Sequence, residues 1–519
     1  MEKKVFARAA SGLVRTISAW DGTIYNVLVM APTAVYIYGV WAAGLFPGVD
    51  LPTTVIVAIL TSIVIGLFYA IFSIIMPRSG GDYIWISRTL HPVLGFMVNF
   101  FLFIVLVSLI GVEIPWAVGE GLIYLFMFTG QEQLATAVST PVAMFILGAI
   151  YFIVCAIIVA LGTRATMWAL RILFAMVAIG FLTFVGLTLS AGQSTFLANF
   201  NAATGTTYSE VMKAAMEAGH PGKFVLSATL LGVIYTILNF LGFNFTVYVA
   251  GEVKEVKKTQ IVSIIAAVII FGLITWATYA VAYYTFNPHL FGALSYLYVM
   301  ENPAYPLDFP PYFHCLLTFV TKNPILLNIV YWGWAMMPLA AGLTYMFTSV
   351  RLLFAWAFDR VLPTAVSAVD RRFNTPYVAL IIVVILAFVF QYLWLFTPVM
   401  GYFVYITAGW MIGQSIAAIA GIVFPYRRKD LFESAPPIAK ARIGGVPVLT
   451  ILGVATLLIS IWLGYAAMTP TFAGVIDPMA IAFTYGMFVI GVIIYVISSV
   501  YHRLTGIPLE LSFKEIPPE

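Results

Sequence analysis

The chain of 519 residues is 62% hydrophobic and only 9% charged, with a mean hydropathy of +1.02 and a net charge of +4. Soluble globular chains carry about a quarter charged residues, so this composition excludes a water-soluble enzyme or a nucleic-acid-binding module. It indicates an all-α integral membrane protein. A helix needs about 20 apolar residues to cross some 30 Å of hydrocarbon, and twelve stretches meet that length. In chain order they are 19–45, 53–76, 93–128, 141–161, 168–189, 224–251, 261–284, 325–358, 376–396, 399–424, 446–468 and 478–501. The first is too long for the apolar core of a signal peptide and reads as a retained span.

Charge placement sets the orientation. With the N-terminus cytoplasmic, 22 of the 25 Lys and Arg residues fall on inner segments, and only Lys213, Lys223 and Lys322 fall outside. Both termini are then cytoplasmic, and the basic residues anchor the inner leaflet of the plasma membrane. The long connections are 190–223 and 286–324 outside and 426–445 inside; within the first, 208–219 has the spacing of a surface helix. Cys155 lies in a span and Cys315 in a connection, which gives no disulfide framework. The five histidines are scattered without metal-ligand spacing, and no nucleophile elbow or phosphate loop is present. The chain is therefore read as a non-enzyme without a metal centre.

Two spans are interrupted at bilayer depth. In the first, Met30-Ala31-Pro32-Thr33-Ala34 brings a proline and small residues. In the sixth, Asn239-Phe240-Leu241-Gly242-Phe243-Asn244 brings a glycine and two amides. Backbone released from a helix survives in a membrane only when buried or lining a cavity. Interrupted helices in matching positions of two halves point to a transporter's substrate site. Five spans separate the halves, so a duplicated five-helix unit is an inverted repeat. The N–H groups of Thr33 and Ala34, at the start of the resumed half-helix, suit a carboxylate. Carbonyls ending the first half of the sixth span suit an ammonium group, and Phe240 and Phe243 flank that break. Glu113, near the middle of the third span, is costly in hydrocarbon and is a functional residue by default. It is suited to bind a proton or pair with a cationic substrate. Glu120, seven residues on, falls on the same face about 10.5 Å nearer the outer mouth, with Pro115 bending the helix between them. Near the inner ends, Asp21, Arg171 and Arg351 form an inner gate or snorkel to the headgroups. Asn26 caps freed carbonyls or lines the inner path, and Asn244 joins the sixth-span break.

Several motifs together resemble the amino acid–polyamine–organocation (APC) superfamily over most of the first ten spans. They are Pro77-Arg78-Ser79-Gly80-Gly81-Asp82-Tyr83 with Gly95-Phe96, Leu161-Gly162-Thr163-Arg164, Phe196 with Asn199-Phe200, Gly242-Phe243 with Gly251-Glu252-Val253-Lys254, and Arg351 through Asp359-Arg360-Val361-Leu362-Pro363 to Asn374-Thr375-Pro376. The resemblance implies the LeuT-type five-plus-five inverted repeat with broken helices 1 and 6, followed by helices 11 and 12. It also implies alternating-access transport of an amino acid or amine, by symport or exchange; the alternatives are a polyamine or organocation transporter, or an ion channel. The segments become an N-terminal stretch 1–18, a ten-helix core 19–426 with repeats 19–190 and 224–426, a loop 427–445, helices 446–501 and a tail 502–519. Pro32 to Ala34 stand where the family has two glycines, and the apolar stretch 175–177 stands where proton-coupled relatives carry a lysine. Thr344 and Ser349 are the oxygens that a coupling sodium would use; otherwise hydroxyls in membrane helices bond their own backbone. A proton is the other coupling ion considered.

Overall fold

In the computed structural model, which describes residues 12–473, 477–506 and 509–513, the first apolar stretch is cut in two. Helix α1 (Ala19–Val29) begins in a capping box, in which Ser18 and Asp21 satisfy each other's backbone N–H groups. It stops where Pro32 offers no N–H, and Ala31 turns into the left-handed region at φ 56°. Helix α2 (Val35–Leu45) then resumes. Next come α3 (Leu51–Ile75), the short α4 (Asp82–Thr89) and α5 (Pro92–Ala117), which continues through a π turn (Val118–Leu122) into α6 (Ile123–Phe128). They are followed by α7 (Glu132–Val138), α8 (Pro141–Ala160), α9 (Thr163–Thr204) and α10 (Tyr208–Glu217).

The second interruption follows α11 (Leu226–Phe240), after which the chain runs as a 3-10 segment (Phe245–Glu252) into α12 (Val256–Phe286). The remaining helices are α13 (Pro288–Val299), α14 (Phe313–Leu316), α15 (Pro324–Phe358), α16 (Tyr377–Phe396), α17 (Ile406–Arg427), α18 (Lys429–Ser434), α19 (Val448–Ala467), α20 (Pro470–Ala473) and α21 (Pro478–Leu504). A two-residue hairpin, Arg442–Ile443 with Val446–Pro447, turns through Gly444 and Gly445, both at positive φ.

Among the described residues, eleven helices are long and apolar enough to cross a membrane, and the interrupted stretch of α1 and α2 adds to them. The chain is a multi-pass, all-helical membrane protein. Residues 1–11, with Lys3, Lys4 and Arg8, and the tail from 514, with Lys514, lie outside the described residues. Three expectations about the elements change. The connection 190–223 carries more than its surface helix: Gly192, at φ 67°, breaks the helical geometry of α9 close to the expected end of the fifth span, and a second helical stretch runs on to Thr204. The connection 286–324 is not bare chain but carries α13, seated by Asn287 bonding the N–H groups of His289 and Leu290, and α14. The tenth span opens as a 3-10 segment (Pro398–Tyr405) before α17. The surface helix at 208–219 appears as α10, started by a Thr207–Glu210 capping box.

The helices pack in two groups. In one, α12 lies against α1 and α3, and α11 against α2 and α3. In the other, α15 lies against α5 and α9, and α16 against α5 and α8. The outer faces are apolar at helical spacing, as in Ile146, Ile150, Ile153 and Ile157 of α8 and Ile381 and Ile385 of α16. Those side chains are the surface offered to lipid. The two groups meet across a central cavity.

Candidate functional site

The two breaks are fastened to each other. Gly242 takes φ 109°, and a Cβ there would fall 2.1 Å from Val29 Cγ1, so only glycine fits against the end of α1. With its amide nitrogen turned toward α1, Asn239 donates to the carbonyls of Met30 at 3.1 Å and Ala31 at 3.3 Å. The Tyr345 hydroxyl donates to Val29 O at 3.3 Å, and the Trp334 indole to Thr33 O at 3.1 Å. Carbonyls left open by Pro32 therefore find side-chain donors from α11 and α15, as backbone at membrane depth requires. Below the break, Thr246 N donates to Asn26 Oδ1 at 2.9 Å, and Thr246 Oγ1 donates to Gln260 Oε1 at 2.9 Å. Asn26 thus caps the sixth-span break, not its own helix.

Beside the breaks lies a cavity of about 370 Å³, within the size range of small-ligand sites. Of the residues expected at the site, Met30, Ala34, Glu113 and Asn239 line it. Pro32, Thr33, Phe240, Gly242 and Phe243 do not. Pro32 and Thr33 lie in the turn that carries the chain from α1 to α2, and Thr33 faces Trp334. Phe240 packs edge-on against Phe271 at 4.8 Å, and the turn at Gly242 sends Phe243 toward Gly66. The aromatic side chain that this turn directs into the cavity is Phe245, stacked 6.0 Å from Trp410.

Among the described residues, Glu113 is the one carboxylic acid in the lining, and none of the lining residues is Lys, Arg or His. Its neighbours Tyr38, Trp116, Tyr235 and Tyr345 form aromatic walls; Tyr38 lies 5.8 Å from Trp116 and 6.3 Å from Tyr235. The sequence reading missed all four. Helical spacing points to three of them from residues already chosen: Tyr38 is four beyond Ala34, Trp116 three beyond Glu113, and Tyr235 four before Asn239.

Glu120 leaves the face of Glu113. The π turn Val118–Leu122 inserts an extra residue, and the Glu120 carboxyl instead meets Tyr312 while its carbonyl bonds His314 Nε2 at 2.8 Å. Asn244 accepts from Val247 N at 3.0 Å in the turn of the break. The Thr344 hydroxyl donates to Ala341 O at 2.6 Å in its own helix, and Ser349 is buried.

At the end of the molecule that carries the α1 N-terminus, the charges pair. Asp21 meets Arg171 at 2.6 Å, and Glu252 meets Arg351 at 2.7 Å with neither of the latter side chains exposed. Arg351 therefore does not snorkel; Thr163 also donates to Glu252, and the guanidinium lies 3.6 Å from the centre of the Phe347 ring. The backbone of Thr16 and Ile17 bonds Glu252 O at 2.9 Å, closing this end further. Toward the opposite end the lining comes from Trp394 at the end of α16, Met400 and Phe403 on the 3-10 segment before α17, and Phe472 on α20. Among the described residues, no group of acidic, His and Cys side chains is arranged to hold a metal ion.

No curated protein matches the chain. A family model described as amino acid permease matches residues 23–498, a stretch that takes in both breaks, the cavity and the Glu252–Arg351 pair. The chain belongs to the amino acid permease family, whose members are membrane transporters of amino acids or related organic cations.

Proposed function

We propose that this permease is a secondary active transporter that moves an amino acid or related amine across the plasma membrane by alternating access, as a symporter or exchanger. The supporting observation is the cavity beside two mutually fastened helix breaks, with the Glu113 carboxyl in its wall. On this reading the core is the five-plus-five inverted repeat over 19–426, α19 and α21 are helices 11 and 12, and both termini are cytoplasmic. The group of α1, α2, α3, α11 and α12 rocks against the group of α5, α8, α15 and α16. The paired charges then close the cytoplasmic end, and the cavity extends outward. Glu113 takes up the substrate cation or a coupling proton. The coupling ion is a proton or sodium, because the Thr344 hydroxyl gives its hydrogen to Ala341 O and keeps its lone pairs for a cation.

Counterflow in proteoliposomes tests the proposal. Saturable uptake of a labelled substrate, stimulated by the same substrate inside, is the expected result. Conductance of many charges per event, without exchange, would establish a channel and end the transporter reading.

A further inference from the structure

We infer that the cavity selects organic cations lacking a carboxylate, alkylamines or arylalkylamines, over the amino acids that carry the same side chain. The inference rests on the transporter reading and names the substrate class of that site.

A bound amino acid needs a partner for each of its two charges, because an unpaired ion in a low-dielectric site is costly. The ammonium has one in Glu113. The carboxylate does not. Among the described residues, the lining has no basic side chain. The lining residues at the breaks have their backbone donors committed: Met30 N to Asn26 O, Ala31 N to Leu28 O, Ala34 N to Ala31 O and Tyr38 N to Ala34 O. On the other break, Leu241 N bonds Ile237 O and Phe245 N bonds Gly242 O. Thr33 and Val35, at the start of α2, and Gly242 and Asn244, at the second break, stand outside the lining. At the positive end of the resumed half-helix the lining N–H, that of Ala34, is therefore held by its own chain, with Ala31 O taking the bond that a substrate carboxylate would need.

What remains toward the cavity suits a cation. Asn239 spends its amide nitrogen on Met30 and Ala31, so its oxygen is the atom left for a ligand. The rings of Tyr38, Trp116 and Tyr235 offer π faces to an ammonium group and an apolar wall to its carbon skeleton. The donors left to a carboxylate are neutral hydroxyls and indoles, and it would share the cavity with the like-charged Glu113.

The test compares molecules that differ only in the carboxylate: phenethylamine with phenylalanine, and cadaverine with lysine. Full-length protein in proteoliposomes is assayed by counterflow, and purified protein by thermal shift. The expected result is that the amine of at least one pair half-saturates exchange at a concentration about tenfold or more below its amino acid. In Glu113→Gln that advantage collapses. An amino acid that exchanges as well as its amine overturns the inference and leaves the transporter reading standing. An amine preference that survives unchanged in Glu113→Gln also overturns it. A thermal shift for the amines without any exchange supports the inference and overturns the transport reading; neither shift nor exchange overturns both.

Discussion

The Arg351 guanidinium and the Glu252 carboxylate lie 2.7 Å apart, with side-chain exposures of 0% and 1%. Glu252 ends the 3-10 segment that follows the second break, and Arg351 sits on α15, so this pair ties the two packing groups together. Removing one partner strands the other as a buried charge, which costs roughly 3–5 kcal/mol. Glu252→Gln is expected to lose that much in denaturant unfolding. The pair Glu252→Leu with Arg351→Met should recover part of the loss, since it strands no charge. Asp21→Asn, which breaks a pair whose Arg171 side chain is 35% exposed, should cost at most about 1 kcal/mol. Equal losses at the two sites would contradict this ranking.

Gly242 and Val29 allow a second test. Gly242→Ala forces a left-handed alanine and a collision with Val29 Cγ1. The backbone strain alone is worth about 1–3 kcal/mol, with the clash in addition. Adding Val29→Ala should restore the clash component and leave the strain. A double-mutant cycle in thermal unfolding reads the difference; strict additivity of the two changes would mean that the breaks do not touch as described.

Both breaks were legible in the sequence because Pro32 and Gly242 leave marks that need no partner to be read. Glu113 was legible for the same kind of reason: a carboxyl within an apolar run has few structural explanations. The cavity walls were not, because aromatic residues make up 16% of the chain and a ring facing lipid reads like a ring facing substrate. Glu252 stands in the motif Gly251-Glu252-Val253-Lys254, yet its role needs Arg351, 99 residues away. The loss of Glu120 from the site depends on one π turn, which no hydrophobic period reveals. Thr33 and Phe240 were misjudged because a broken helix changes which way its next residues face, and spacing says nothing about that angle.

Asp82 yields a pH prediction. It opens α4, outside the spans, where Asn99 Nδ2 donates to its Oδ1 at 3.2 Å and the Tyr248 hydroxyl to its Oδ2 at 2.9 Å. Burial pushes its carboxyl up to about 6, and these bonds oppose the rise. The unfolded group titrates near 3.9, so between those values the folded state holds the extra proton. The resulting stabilisation is complete below pH ~4 and lost as pH rises through about 6. Two units correspond to about 3 kcal/mol. Asp82→Asn cannot titrate, so its stability relative to the parent should improve between pH 4 and 7 and level off above. A difference that stays constant over that range would show that Asp82 is not the titrating group.

Gly342 of α15 backs the Glu113 side chain. A Cβ at Gly342 would lie 2.9 Å from Glu113 Cγ and 2.2 Å from the Tyr151 hydroxyl, which donates to Leu339 O at 2.8 Å. In Gly342→Ala the tyrosine must give up that bond, at a cost of about 1 kcal/mol, and Glu113 must shift within the cavity wall. The half-saturating substrate concentration in counterflow is expected to rise about fivefold or more, with maximal exchange falling less. Gly186→Ala is the control: its added Cβ meets nothing within 4 Å on α9, so exchange should be unchanged and helix propensity should make the protein slightly more stable. If Gly342→Ala transports with the parent's half-saturation, Glu113 does not contact the substrate from where it stands.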